Sequence, residues 1–448
     1  MLIHDAPLIK TATALRNGDL DLLAYVNDVC NRIEAEEPQI QALLPETGLR
    51  ERLLVDARAL QARYPDPANR PPLYGILVGI KDMFFVDGFL TRCGSALPPE
   101  LFHGQEGDYL KALRRAGVLM LGKTVTTEFA YFEPGPTRNP HNLAYSPGGS
   151  SSGSAAAVAA GYCPLAVGTQ VIGSTIRPAA FCGIVGFKSS HARIPINGWI
   201  LSSEALEHAG LFTQDMAGMT LVASLVCENW QPVELSISHK PVLGVPEGPF
   251  LAQASQEALA AFERQLALLE RAGYSVRRVQ VLPDIEAINR RHNRIFAAQM
   301  AREHAPWFDR YVSLYRPRTL AALREGQEIT DQELAEMLPG RLALRRALED
   351  TMEREGIDLW VCPSATGPAP EGLASTGSPL MNLPWTHAGV PAVSLPAGSA
   401  ANGLPLGFQC AGRFMQDEHL LAWAEPMSRI VGQGFDYPMN FAARIREW

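Results

Sequence analysis

The sequence predicts an α/β protein, a mixed β-sheet flanked by helices with a helical insertion, and three observations predict it. Short apolar runs bounded by glycine, proline and polar turn residues alternate with stretches of helical periodicity. At the centre of the chain, residues 146–188 carry two glycine-serine loops around a small-residue helix and an apolar run. Residues 285–355 carry helical signals and read as a helical insertion placed to cover a pocket.

In chain order, residues 19–35 predict an amphipathic helix with Leu20, Leu23, Val26 and Ile33 on or near one face, within an N-terminal helical part spanning 1–65. A proline-rich loop at 65–72 leads into a buried strand over 76–80 that ends at Lys81. The spacing then predicts a helix over 109–116, stopped by Gly117, and a strand over 118–121. Short strands over 165–168 and 184–187 flank the second serine loop, and another falls at 242–245. Residues 255–272 form a helix with Leu259, Phe262, Leu266 and Leu269 on one face and Gly273 past its end. Residues 276–281 alternate valine and arginine as a half-buried strand. Pro306 suits a helix start and Pro317 a stop, with Trp307, Tyr311 and Tyr315 sharing one face between them. That stripe is either core packing or the lining of a cap that favours aryl substrates. Thr330 to Glu333 form a capping box with Ile329 and Leu334 placed for a hydrophobic staple. Pro339-Gly340 breaks that helix, which resumes over 341–355. Strands at 359–362, 392–395 and 406–410 and a closing helix over 420–430 complete the pattern. With no internal repeat or clear linker, a single domain over 1–448 is expected.

The 448 residues suffice for one large or two ordinary domains, and a 47% apolar fraction supports a sizeable core. The net charge is −8 and the basic residues are scattered, so no stripe argues for nucleic acid. Seven cysteines (30, 93, 163, 182, 227, 362 and 410) lie far apart without CxxC spacing, against a disulfide framework or zinc site. Dispersed free thiols fit a reducing compartment. The start, MLIHDAPLIK, lacks the pattern of a secretory signal. Gly161, Pro164, Gly168 and Gln170 interrupt the most membrane-like stretch, 155–173, which reads as a buried helix and strand. The expectations are a cytoplasmic location, no membrane, no nucleic acid, no cofactor and no metal; a homodimer is left open.

Two short motifs mislead. Residues 117–124 satisfy GxxxxGKT, but the strand lies inside the motif and leaves no loop to cradle phosphate. Residues 149–153 satisfy GxSxG around Ser151, but no strand precedes them and no histidine follows in an informative context. His387 is the best of ten and reads as a polar residue near a turn.

The chemistry lies in the loops. The first, GGSSSGS at 148–154, and the second, GTQVIGS at 168–174, place serines beside glycines whose N–H groups can crowd one point. Such amides hold an oxyanion, and a serine beside them attacks a carbonyl. Taken alone, each serine is a turn or cap residue, and Ser151, Ser152 and Ser154 read as caps or backbone fasteners. Cys182 reads as core packing.

These residues resemble the amidase signature family, with its Ser-cisSer-Lys triad. The first loop matches with Ser152 in place of a glycine, and 168–179 match the second loop in register. PLYGILVGIKD at 72–82 matches the family's lysine segment. Glu128-Phe129-Ala130, residues 137–140, 388–392 and 403–409 extend the resemblance, which weakens between about 245 and 355. The resemblance implies a large twisted mixed sheet, with Ser174 as nucleophile, Ser150 as the bridging serine on a cis peptide, and Lys81 as base. It implies an oxyanion and substrate site built from the backbone of Val171, Ile172 and Gly173, with Ser174's own N–H, Gly149 and Tyr131. The substrate expected is a small-molecule amide, ester or carbamate; the alternative is the glutamine-hydrolysing component of a tRNA-dependent amidotransferase, which needs a partner chain. A scaffold that has lost catalysis is disfavoured by the retained Lys81, Ser150 and Ser174. Gln170 replaces an acidic residue, Val171-Ile172 replace a smaller pair, and Arg177 falls three residues after Ser174 where the family has two.

Overall fold

Ten strands form one mixed sheet in a computed structural model that describes residues 1–233 and 240–433. They are β1 (Leu77–Lys81), β2 (Leu119–Thr124), β3 (Leu165–Gln170), β4 (Val185–Lys188), β5 (His208–Thr213), β6 (Leu243–Glu247), β7 (Val276–Gln280), β8 (Leu359–Pro363), β9 (Ala392–Ser399) and β10 (Pro405–Ala411). The order is β2-β1-β3-β5-β4-β9-β10-β8-β6-β7. The flanking trios β2-β1-β3 and β8-β6-β7 are parallel, and the pairs between β3 and β8 are antiparallel. The first five strands are buried along their whole length, as near-continuous apolar runs covered on both faces should be. At the edge, β7 exposes Arg277 and Arg278, charges that blunt an open strand.

The helix Ser152–Ala159 is buried at every residue. Its small side chains permit this: a Cβ on Gly153 would come within 2.1 Å of the Ala42 carbonyl and 2.4 Å of the Val125 nitrogen. In the helix Gln256–Arg271, Phe262, Leu266 and Leu269 are buried and Leu259 only partly so; each full burial contributes about 1.5–3 kcal/mol. All seven cysteines are free and buried. Among the described residues no helix is long and apolar enough to cross a membrane.

Several elements differ from the expectation. The N-terminal part holds three helices, Leu8–Asn17, Leu22–Ile40 and Leu49–Arg63, and Leu20 precedes the second of them. The β2 strand runs on through Gly122 and Lys123. There the Lys123 ammonium is buried against Asp82 at 2.8 Å and donates to the Phe84 carbonyl, so it is a structural cation of the interior. The β5 strand was not foreseen. Residues 285–355 are helical, but no single helix joins Pro306 to Pro317. A short helix Phe308–Tyr311 passes into a 3-10 turn, Val312–Leu314, and Pro317 opens the helix Pro317–Gln327. Its missing N–H costs nothing at a first helical position, and the preceding Arg316 N–H donates to the Glu128 carboxylate at 3.0 Å. The aromatic stripe is therefore dispersed. Tyr315 is buried against Phe129 and Phe308, and Trp307 meets Phe102 and His304 edge-on.

Candidate active site

Parallel pairing of β1 with β3 brings Lys81, the last residue of β1, beside the C-terminal end of β3. There Lys81 Nζ lies 2.7 Å from Ser150 Oγ and 2.7 Å from Thr169 Oγ1. Lys81 is fully buried. Burial pushes its pKa down, opposed by the Glu207 carboxylate and then by Cys93, and desolvation wins because the charged form has lost its water.

The first loop carries a cis peptide between Gly149 and Ser150. Its other serines are fasteners and cap no helix end. Ser151 Oγ donates to the Thr169 carbonyl, Ser152 Oγ to the Gly148 carbonyl at 2.8 Å, and Ser154 Oγ to the Val167 carbonyl at 2.9 Å. The fully buried Arg177 donates through Nη2 to the Gly149 carbonyl at 2.7 Å. Its Nε and Nη1 are buried without a protein partner among the described residues. Segment 376–382 lies across both loops: a Cβ on Gly149 would meet Thr376 at 2.7 Å, and one on Gly173 would meet Asn382 Oδ1 at 2.4 Å.

The second loop follows β3 and is pinned by its carbonyls. Thr386 Oγ1 donates to the Ile172 carbonyl at 2.7 Å, and His292 Nε2 to the Val171 carbonyl at 3.0 Å. In a trans peptide the C=O and the following N–H point in opposite directions. Pinning these two carbonyls therefore points the N–H groups of Ile172 and Gly173 away from His292 and Thr386. Gln170, standing where the resembling family has an acid, accepts the N–H groups of Thr175 and Ile176 at 2.8 and 3.0 Å and donates to Thr386. A neutral amide thus does the loop-closing work.

The His292 bond belongs to a chain that sequence reading missed. Arg291 Nε donates to His387 Nε2 at 3.1 Å, and His387 Nδ1 lies 3.3 Å from His292 Nδ1. Burial pushes His292 down to about 3 and His387 down to about 2, so both rings are neutral. One donor-acceptor assignment satisfies every contact: His387 carries its proton on Nδ1 and His292 on Nε2. His387, in the last turn of a helix that ends at Gly389, is thus also a fully buried link in a chain to the loop. His292→Leu is expected to lower kcat by roughly tenfold, short of the roughly 10²–10³-fold lost with a whole oxyanion donor. Turnover measured beside a melting curve checks it, since loss of stability alone would leave kcat per folded enzyme unchanged.

Ser174 is 7% exposed at the end of the loop, and Val171 and Ile172 are buried. Tyr131 is half-buried and stacks on Phe296 of the helix Ile285–His304, with ring centroids 5.3 Å apart. The insertion thus meets the site through this helix, which also carries His292. Sequence reading also missed Glu207, buried just before β5, where nothing in the sequence separates it from the neighbouring Glu204. Among the described residues no cluster of side chains suits a metal ion.

This is the architecture of amide-cleaving hydrolases. The chain belongs to the amidase family, which it matches over residues 24–421. It is 30% identical to a glutamyl-tRNA(Gln) amidotransferase subunit from Synechococcus sp. (strain WH7803), covering 93% of this chain and 95% of the relative. A solved amidase structure is 29% identical with a TM-score of 0.86, covering 95% of this chain and all of the other. The peptide amidase of Stenotrophomonas maltophilia shares the fold at 22% identity and a TM-score of 0.79, with 95% and 97% covered.

Proposed function

We propose that this chain is a serine amidase that hydrolyses small carboxylic amides, with aryl amides, esters and carbamates in its range, through an acyl-enzyme on Ser174. The observation that carries the reading is the buried Lys81 amine 2.7 Å from Ser150 Oγ on the cis peptide. A serine hydroxyl needs a base, and lysine serves only when neutral. Lys81 takes the Ser150 proton while Ser150 takes that of Ser174, whose Oγ bonds to the substrate carbonyl carbon. The oxyanion rests on the N–H groups of Ile172, Gly173 and Ser174, with Val171 beside them. The C–N bond breaks, the amine leaves with the proton returned along the chain, and water then releases the acid by the same route. Gly149 lets segment 376–382 close on the first loop, and Tyr131 on Phe296 forms an apolar wall. The helices of 285–355 act as a cap within a single domain.

The second reading, the glutamine-hydrolysing component of an amidotransferase, is favoured by the near full-length likeness to the glutamyl-tRNA(Gln) amidotransferase relative. Against it stand Gln170 for an acid and the bulkier Val171-Ile172. A paired assay decides. Protein treated with EDTA, free of nucleotide and without a second chain, is expected to hydrolyse an aryl amide or ester with kcat/KM tens-fold above that for glutamine, since burying an aryl group gains roughly 2–3 kcal/mol. Preference for glutamine, or strict dependence on a metal or second chain, overturns the proposal.

A further inference from the structure

We infer that Glu207 is a positioning residue for this site: acting through the Thr169 hydroxyl, it aims the Lys81 lone pair at Ser150 and stabilises the ammonium that forms when Lys81 accepts the proton. The inference rests on the reading of Lys81 as base.

The topology brings the three residues to one edge. The strands β1, β3 and β5 are neighbours in the sheet. Lys81 ends β1, Thr169 is the penultimate residue of β3, and Glu207 immediately precedes β5, which runs antiparallel to β3 with His208 opposite Gln170. Lys81, Thr169 and Glu207 are all buried, none more than 1% exposed. Lys81 Nζ lies 2.7 Å from Thr169 Oγ1; burial pushes the Glu207 pKa up to about 7, opposed by the Ser202 N–H, by Lys81 and by the Thr169 hydroxyl. The backbone N–H of Ser202 donates to that carboxylate at 3.1 Å. The charged and titratable groups facing Lys81 are Glu207 and Cys93, and the group facing Glu207 is Lys81. Behind Cys93 stand Asp82 and Lys123, which are paired with each other.

Hydrogen-bond inventory then fixes the direction. A threonine hydroxyl has one proton to give and a carboxylate can only accept. With Glu207 ionised and taking the Thr169 proton, Thr169 can only accept from Lys81. A neutral amine has two N–H bonds and one lone pair, so the lone pair is left for the Ser150 proton. When that proton arrives, the new ammonium lies across Thr169 from a carboxylate in a site that excludes water, where opposite charge counts most. Glu207 and Thr169 exchange no proton in this step; the proton on Lys81 comes from Ser150.

Glu207→Gln removes the charge and supplies an amide donor that can reverse the Thr169 hydroxyl toward the lone pair. It is expected to lower kcat roughly 10²-fold, at the low end of what general-base catalysis contributes. The acid limb of the kcat/KM profile should move to lower pH, because the carboxylate that holds the Lys81 pKa up is gone. A merely structural role would not move that limb. Thr169→Val should lose kcat likewise and Thr169→Ser should retain it. Wild-type kcat with an unmoved limb in folded Glu207→Gln overturns the inference. If that variant does not fold, wild-type kcat in Thr169→Val overturns it and a loss restored by serine supports it. Lys81→Ala run alongside separates the two layers: wild-type turnover there overturns the reading of the site itself, whereas its loss beside an unaffected Glu207→Gln overturns only this inference.

Discussion

Ser174→Ala is expected to abolish turnover, by at least roughly 10⁴-fold in kcat, and to abolish covalent labelling by a fluorophosphonate or sulfonyl fluoride. The expectation follows from position. Ser174 sits at the end of a loop whose Val171 and Ile172 carbonyls are pinned outward by His292 and Thr386. On the proposed mechanism the N–H groups so fixed are the donors for the oxyanion. The alanine variant keeps those donors, so it should still bind substrate with little change in melting temperature. Ser150→Ala should behave differently. It breaks the link to Lys81 but leaves the attacking oxygen in place, so turnover falls severely while slow labelling persists. Intact mass after labelling reads both results. Labelling that survives Ser174→Ala and disappears in Ser151→Ala would move the nucleophile to the first loop. That outcome would be hard to reconcile with a fully buried Ser151 whose hydroxyl is committed to the Thr169 carbonyl.

What could be read in the chain, and what could not, divides by the range of the interaction. The two loops are local: glycine and serine at fixed offsets mark them, and Lys81 ends an apolar run that is legible as a strand. The other residues buried around Lys81 and the second loop arrive from elsewhere. Glu207, His292, Thr386 and His387 come from three segments with no motif of their own, and only the sheet order and the seating of the Ile285–His304 helix bring them together. The β5 strand was hidden because His208-Ala-Gly-Leu-Phe-Thr lacks alternation. Its Gly210 is there for contact, since a Cβ would come within 2.1 Å of Thr175 Oγ1. The helix expected between Pro306 and Pro317 failed for a different reason. Proline suits both the residue after a helix and the first residue of one, and the long-range bond from the Arg316 N–H to Glu128 selects the second. Composition alone could not weigh that bond.

The pH profile tests the base directly. The value of kcat/KM is expected to rise with pH through an acid limb near 7 set by the buried Lys81–Glu207 pair, since burial lowers Lys81 from 10.5 to about 7 and raises Glu207 to about 7. The sign follows from the role: the ammonium has no lone pair, so the enzyme is inactive below the Lys81 pKa and active above it. At an unshifted 10.5 only about one lysine in 3,000 would be neutral at pH 7, so the depression is what makes the residue useful near neutrality. Lys81→Ala should lose roughly 10²–10⁴-fold in kcat across the range, the contribution expected of a positioned base, with the fold intact. Lys81→Arg sharpens the test. It keeps a cation beside Ser150 and Thr169, but a guanidinium does not give up its proton in a protein. It should therefore be as inactive as the alanine variant and show no limb. Normal turnover by folded Lys81→Ala, or activity in Lys81→Arg with the wild-type profile, would mean that the buried amine supplies charge alone and that the proton from Ser150 goes elsewhere.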